Sequence, residues 1–339
     1  MPSVWGSHLH ERLQSPSRAE LDARVTLAPM PRDPTDDAPL SRQLWPADLA
    51  NEPFAAVFRK HFAALRAAHQ SQPHEGVLIA AVDGNGFFDA HAHLRLPASG
   101  IAHLIIGRHE RCDVVLSRDN DVSLRHLLVR ATRGPHGQLQ LRAIDLRSRC
   151  GLLSEDGKKC EAIASKGPLF LQVASYVVLL LPTGPSVKPW THDADETWRG
   201  FAPRDQEILP PPQPLKSRAA PAANAVRLAT ITIQSSSPQA GDLTSTHAVW
   251  SDQLDRGILV GRDDRCSHGG LEEGNLSRVH LVLLSVDDEV WAIDTASTNG
   301  TRVYGGPPFR QLLLTGETQL VLADALSLRW APALHHARA

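Results

Sequence analysis

Arg262 follows a glycine, Gly261, and fifteen positions later comes Ser277-Arg278-Val279-His280; the run Asp294-Thr-Ala-Ser-Thr298-Asn299-Gly300-Thr301 follows. Guanidinium, hydroxyl and carboxamide groups brought together from separate loops are what a phosphate requires: positive charge plus several hydrogen-bond donors. The same order occurs 154 residues earlier, as Gly107-Arg108, Ser123 and His126, again with fifteen positions between arginine and serine. Cys112 and Cys266 each stand five positions after their glycine. Such a coincidence of spacing marks two copies of one module.

The elements that must position these residues are strands. From Gly76 the chain runs in short apolar stretches broken by turn residues, such as Val77-Leu-Ile-Ala-Ala-Val82, Leu104-Ile-Ile106 and Tyr176-Val-Val-Leu-Leu-Leu181. The second copy has equivalents at Ala229–Ile233, His280–Leu284, Val290–Ile293 and Gln319–Leu322. An all-β fold is expected, with two antiparallel β-sandwiches over 76–182 and 223–332. Residues 183–222 carry Pro203, Pro210, Pro211, Pro212, Pro214 and Pro221 and read as a semi-rigid linker. Before the first sandwich, Phe54, Phe58, Phe62 and Leu65 recur at helical spacing, predicting one amphipathic helix over 47–72 that packs on the adjacent domain. Residues 1–46 are rich in Pro, Arg, Asp and Ser with little apolar periodicity and read as a disordered arm; 333–339 form a short tail.

In this order the motifs resemble those of the forkhead-associated (FHA) family of phosphothreonine readers, and the second copy carries the resemblance further. The resemblance implies that Arg262 contacts phosphate or steadies its loop, that Ser277 donates its hydroxyl and that Arg278 adds charge. It implies that Thr298 helps form a pocket for the threonine methyl and that Asn299 holds the peptide backbone. Gly261, His280, Gly300 and Thr301 have structural roles in the family, as do Gly107 and His126 in the first copy. Glu272 and Glu273, near the second site, would disfavour acidic ligands.

The first copy departs at its second loop. Aligning Asp145–Leu152 on Asp294–Thr301 sets Arg149 against Thr298, Cys150 against Asn299 and Leu152 against Thr301. A thiol is a weak substitute for a carboxamide, so ordinary phosphothreonine reading is not expected there. A degenerate anion site built from Arg108, Ser123, Arg125 and Arg149 is one reading, since Arg108, Arg111, Arg118, Arg125, Arg147 and Arg149 would all lie on the loop side. A scaffold that needs no phosphate is the other.

A formal charge of −2 gives no footprint for nucleic acid or a membrane surface. No apolar run is long enough to span a bilayer and the N-terminus lacks a signal region, so a cytoplasmic location is expected. The four cysteines lack metal or disulfide spacing, and Cys112 and Cys266 read as small buried apolar groups. Asp89-Ala-His91-Ala-His93 has the look of a metal-hydrolase opening but lacks the long β/α chain such a site needs, and reads as one face of a strand. No enzyme motif, cofactor or metal is expected. The expected function is a phosphothreonine-peptide-binding adaptor in Ser/Thr kinase signalling, partnered by a kinase or its substrate; the alternative is a phosphate-independent interaction scaffold. Thr35, in Pro34-Thr35-Asp36-Asp37, is a candidate intramolecular ligand once phosphorylated.

Overall fold

In an extended strand successive side chains point to opposite faces, so an unbroken apolar run has two faces to bury. Along Ala102–Gly107 and Leu127–Arg133, Leu104, Ile106, Leu127 and Val129 enter one core with Ile79, Leu171 and Val178 of a facing sheet. Their neighbours Ile105 and Leu128 enter a different core on the far side. The computed structural model describes residues 40–44, 53–201, 204–210, 224–235, 244–269, 271 and 273–333.

The first sandwich pairs two sheets. One has seven strands in the order Leu40–Leu44, Arg204–Leu209, Ala162–Ser165, Leu139–Asp145, Leu127–Arg133, Ala102–Gly107 and Val114–Val115. The other has six, ordered Phe88–Arg95, Gly76–Val82, Tyr176–Thr183, Leu169–Val173, Leu152–Leu153 and Lys159–Cys160. The second sandwich joins a six-stranded sheet (Thr244–Trp250, Arg227–Ser235, Leu326–Pro332, Thr318–Leu322, Thr301–Val303, Pro308–Phe309) to a four-stranded one (Ile258–Val260, Leu281–Val286, Glu289–Asp294, Gln311–Leu313). Its core includes Ile231, Val260, Leu281, Leu283, Leu320, Leu328 and Trp330. Among the described strands pairing is antiparallel except between Ala102–Gly107 and Val114–Val115, and an isolated parallel bridge joins Val260 to His268 at the equivalent place in the second copy.

Three segments differ from the sequence expectation. The helical region is two helices, Pro53–Lys60 and Phe62–Gln70, broken at His61. Part of the expected arm, Leu40–Leu44, is a strand paired with Arg204–Leu209. The expected linker belongs in large part to the first sandwich. It contributes the helix Ala194–Arg199 and the strand Arg204–Leu209, which also pairs with Ala162–Ser165. The reason is aromatic: Trp190 and Trp198 pack with Phe54, Phe58, Leu65 and Phe170 over the outer face of the six-stranded sheet. Phe58 alone has ring neighbours in Phe62, Trp190, Trp198 and Phe201 at 5.3–5.6 Å. Residues 1–39, with Thr35, lie outside the described residues, as do 211–223 and 334–339.

The two sandwiches also share a core. Ile105, Cys112, Leu128, Ile144 and Leu146 of the first pack with Leu259, Cys266, Val279, Val282, Leu284 and Ile293 of the second. Polar contacts frame this apolar contact: Arg310 pairs with Asp113 at 2.8 Å, Arg256 with Glu161 at 2.9 Å, and His103 Nδ1 lies 2.8 Å from Gln311 Oε1.

Trp198 is 1% exposed. Its replacement in Trp198→Ala is expected to cost the full chain about 3–5 kcal/mol of stability in urea unfolding. An unchanged midpoint would show that the segment after Thr183 is a passive tether.

Candidate functional site

Each sandwich presents two loops that a histidine ties together. In the second, the Ser277 amide donates to His280 Nδ1 (3.2 Å) and the imidazole Nε2 meets Gly300 O at 3.0 Å. In the first, Ser123 N, His126 Nδ1 and Nε2, and Gly151 O repeat the arrangement at 3.1 and 3.0 Å. Because Nδ1 accepts from an amide, each ring must be neutral with its proton on Nε2. Both histidines are fully buried, and burial holds both below the ordinary histidine pKa. Gly151 and Gly300, at φ 80° and 76°, take a left-handed turn that a side chain would strain. Gly107 and Gly261 are needed for a different reason: a Cβ would meet Leu124 O or Arg278 O at 2.4 or 2.1 Å.

The serine hydroxyls then close the loops. Ser277 Oγ accepts from Thr298 N at 3.0 Å, and Ser123 Oγ accepts from Arg149 N at 2.9 Å. The amide of Asn299 donates to Asn275 O at 2.7 Å. Cys150 replaces it in the first copy, its thiol donating to Asp121 O at 2.9 Å. The thiol therefore reproduces the bridge between loops but leaves no further amide group for a ligand. Thr301 begins a strand and donates to Asp294 Oδ2 at 2.6 Å. Arg262, Arg278, Thr298 and Asn299 are exposed and Ser277 is buried beneath them. Glu273 is buried and accepts from Ser235, so it does not face a ligand; Glu272 lies outside the described residues.

Residues 104–165 match the FHA domain family. This segment is an FHA domain. The match falls on the sandwich whose second loop departs most from the family motif. Its run Cys112-Asp113-Val114-Val115-Leu116 supplies the short strand that the second copy replaces with a glycine-rich stretch. No curated protein sequence matches the chain. Similar solved structures include FHA-1 of Mycobacterium tuberculosis Rv1747, 19% identical over 32% of this chain and 99% of that one, with TM-score 0.25. The FHA domain of Chlamydia trachomatis CT664 is 19% identical over 30% of this chain and 96% of its own, also with TM-score 0.25. The N-terminal FHA domain of S. cerevisiae Rad53p, solved with a phosphothreonine peptide, is 18% identical over 31% of this chain and 94% of its own, with TM-score 0.25.

The basic patch expected on the FHA domain is largely committed to other partners. Arg118 pairs with Asp83 and Asp89, Arg147 with Glu161 at 2.8 Å, and Arg149 approaches Asp121 at 3.7 Å. Arg125, expected at a degenerate anion site, turns away from it: it is 6% exposed and bonds to Thr295 O and Ala296 O of the second sandwich. The cause is a shift of one residue. Ser277-Arg278-Val279 in the second copy is Ser123-Leu124-Arg125 in the first, so the arginine occupies the inward position that Val279 fills. That offset was the available sign of Arg125's role. Arg111, also reaching across, carried no comparable sign. Arg108 keeps a half-buried place near Ser123, its Nε donating to Val122 O at 3.3 Å.

The remaining candidate residues are accounted for by simple bonding. Cys112 and Cys266 are buried, with thiols pushed up to about 11 and about 12 by burial, and each donates to a carbonyl at 3.2 Å. Asp89 accepts from Tyr176 at 2.7 Å and His93 bonds Thr183 at 2.8 Å, so these groups of the Asp-x-His-x-His run serve separate neighbours along one strand. Among the described residues no helix is long and apolar enough to cross a membrane.

His69, His93, His103, His109, His126 and His280 all lie below their ordinary pKa, with burial the leading cause. A lowered histidine pKa means that the unfolded chain takes up the proton first, so stability present at neutral pH is lost as pH falls through about 6.5. The melting temperature is expected to drop between pH ~7.5 and ~5.5, and His280→Gln should flatten part of that slope. A constant melting temperature would contradict it.

Proposed function

We propose that the protein is a phosphopeptide-binding adaptor whose second sandwich is a second FHA-type module and reads phosphothreonine. The observation carrying this reading is a pair of exposed guanidiniums, Arg262 and Arg278, with no ion pair among the described residues, beside the linked Ser277 and Thr298. Positive charge with no ion pair among the described residues, next to hydroxyls held in place, suits a dianionic ligand with three acceptors. FHA domains belong to the phospho-motif readers that use arginine clusters. Asn299 would orient the peptide backbone, and the Thr298 side chain would meet the methyl that distinguishes phosphothreonine from phosphoserine. A Ser/Thr kinase or its substrate is the partner class this chemistry selects. An intramolecular ligand at Thr35 remains part of the proposal.

For the FHA domain at 104–165 the second reading, a scaffold that needs no phosphate, is favoured by its committed arginines and by Cys150 in place of asparagine. The two halves would then divide the work, one reading and one supporting.

The test is fluorescence anisotropy of the full chain with a degenerate phosphothreonine peptide pool beside its unphosphorylated counterpart. Arg262→Ala is expected to weaken the phosphorylated pool by about 2 kcal/mol, roughly thirtyfold, the scale of a hydrogen bond to a charged group. Arg108→Ala should change it less than about twofold, as for a surface substitution away from the binding site. Equal binding of the two pools would move the whole protein to the scaffold class.

A further inference from the structure

The loop that carries Thr298 is held from both sides. On the ligand side Thr298 N donates to Ser277 Oγ. On the other side stand two arginines of the FHA domain. Arg125 Nε donates to Thr295 O (2.9 Å) and Ala296 O (3.0 Å), and its Nη2 donates to Ala296 O (2.5 Å) and lies 3.4 Å from Thr298 Oγ1. Arg111 Nη1 donates to Thr298 O at 2.5 Å and Ser297 O at 3.2 Å. Four consecutive carbonyls, 295 to 298, are thus engaged from outside their own sandwich.

Two physical consequences follow. In a planar trans peptide the carbonyl and the next amide N–H point in opposite directions. Fixing Thr298 O toward Arg111 therefore turns the Asn299 N–H away from the FHA domain, and that N–H has no acceptor among the described residues. Second, neither Arg111 nor Arg125 forms an ion pair among the described residues, so two positive charges stand behind the loop. Ala296 has φ 59°, an uncommon conformation for a residue with a side chain, and its carbonyl receives two of Arg125's bonds. The arrangement runs one way. The corresponding loop of the FHA domain, 145–149, receives no arginine from the second sandwich among the described residues; Val279 stands where Arg125 would, and Arg265 is spent on Asp263 at 2.7 Å.

We propose that Arg111 and Arg125 of the FHA domain are positioning residues for phosphate recognition by the second sandwich: they orient the peptide planes of 296–299 and supply positive charge behind them. The proposal rests on the phosphothreonine reading above. It makes the FHA domain part of its neighbour's site, and it gives a divergent copy packed against a motif-complete one a part in recognition.

The experiment uses the full chain with the degenerate phosphothreonine pool, and the variants Arg111→Gln, Arg111→Lys, Arg125→Gln and Arg262→Ala. Arg111 is exposed, so Arg111→Gln should retain the wild-type melting temperature while weakening the phosphorylated pool about fivefold or more, the lower range of coupling between sites. Its affinity should also depend less steeply on salt, because one charge near the ligand is gone. Arg111→Lys should recover part of the loss, and Arg125→Gln should weaken binding at least as much as Arg111→Gln. If Arg111→Gln and folded Arg125→Gln bind like wild type while Arg262→Ala binds more weakly, the positioning role is overturned and the reader stands. If the wild-type chain does not distinguish the phosphorylated pool, the reader itself fails and the proposal falls with it.

Discussion

Everything in this molecule depends on an apolar face that a single sandwich cannot bury. Ile105, Leu128 and Ile144 sit on the side of their sheet opposite the first core, and Leu259, Val282, Leu284 and Ile293 do the same in the second sandwich. Left in water these side chains would forfeit roughly 1.5–3 kcal/mol each of burial free energy. Set against one another, they form a shared core between two sheets, with Cys112 and Cys266 as small fillers in the same layer. A tandem protein with two such faces has strong reason to fold as one body, and the proline-rich segment between the halves does not need to hold them.

That contact determines what surrounds the site. Once the sheets lie face to face, the edges of one sandwich come within reach of the loops of the other. Polar groups caught at the margin must find partners there, because an unpaired buried donor or cation is costly. Arg130, pushed down to about 10 by burial, donates to Ser285 O at 3.1 Å, and Arg142 to Asp255 O. Arg125 is the extreme case: a cation 6% exposed whose acceptors are the carbonyls of a neighbouring loop. Guanidinium suits this position because its planar fork can meet several carbonyls at once.

The loops themselves are ordered by a second device, the buried neutral histidine. His126 and His280 each join a serine amide on one loop to a glycine carbonyl on the next, so the geometry of the serine hydroxyl and of the following loop is fixed as a unit. The two copies share this frame almost bond for bond. They differ in what stands on it: Thr298 and Asn299 in one, Arg149 and Cys150 in the other. Frame and loop-tip residues have separated, which is why a family match can fall on the copy whose second loop is altered.

The local features were legible in the sequence because they are local. The repeat, the strand runs and the histidine-tied loops follow from residue type and spacing, and the strands Arg227–Ser235, Leu281–Val286, Glu289–Asp294 and Thr318–Leu322 contain the apolar runs that announced them. The continuous runs Leu104-Ile-Ile106 and Leu281-Val-Leu-Leu284 also carried the mark of burial on both faces, but periodicity cannot say what covers the second face. Proline content pointed to a linker because composition records chain stiffness, whereas Trp190, Trp198 and Phe201 act through contacts with Phe58 more than a hundred residues away. The same holds for Arg111 and Arg125. Their residue type declares a charge; only the packing of sheet on sheet decided that the charge would serve a loop of the other sandwich and not an anion of their own, because that choice depends on which surfaces meet.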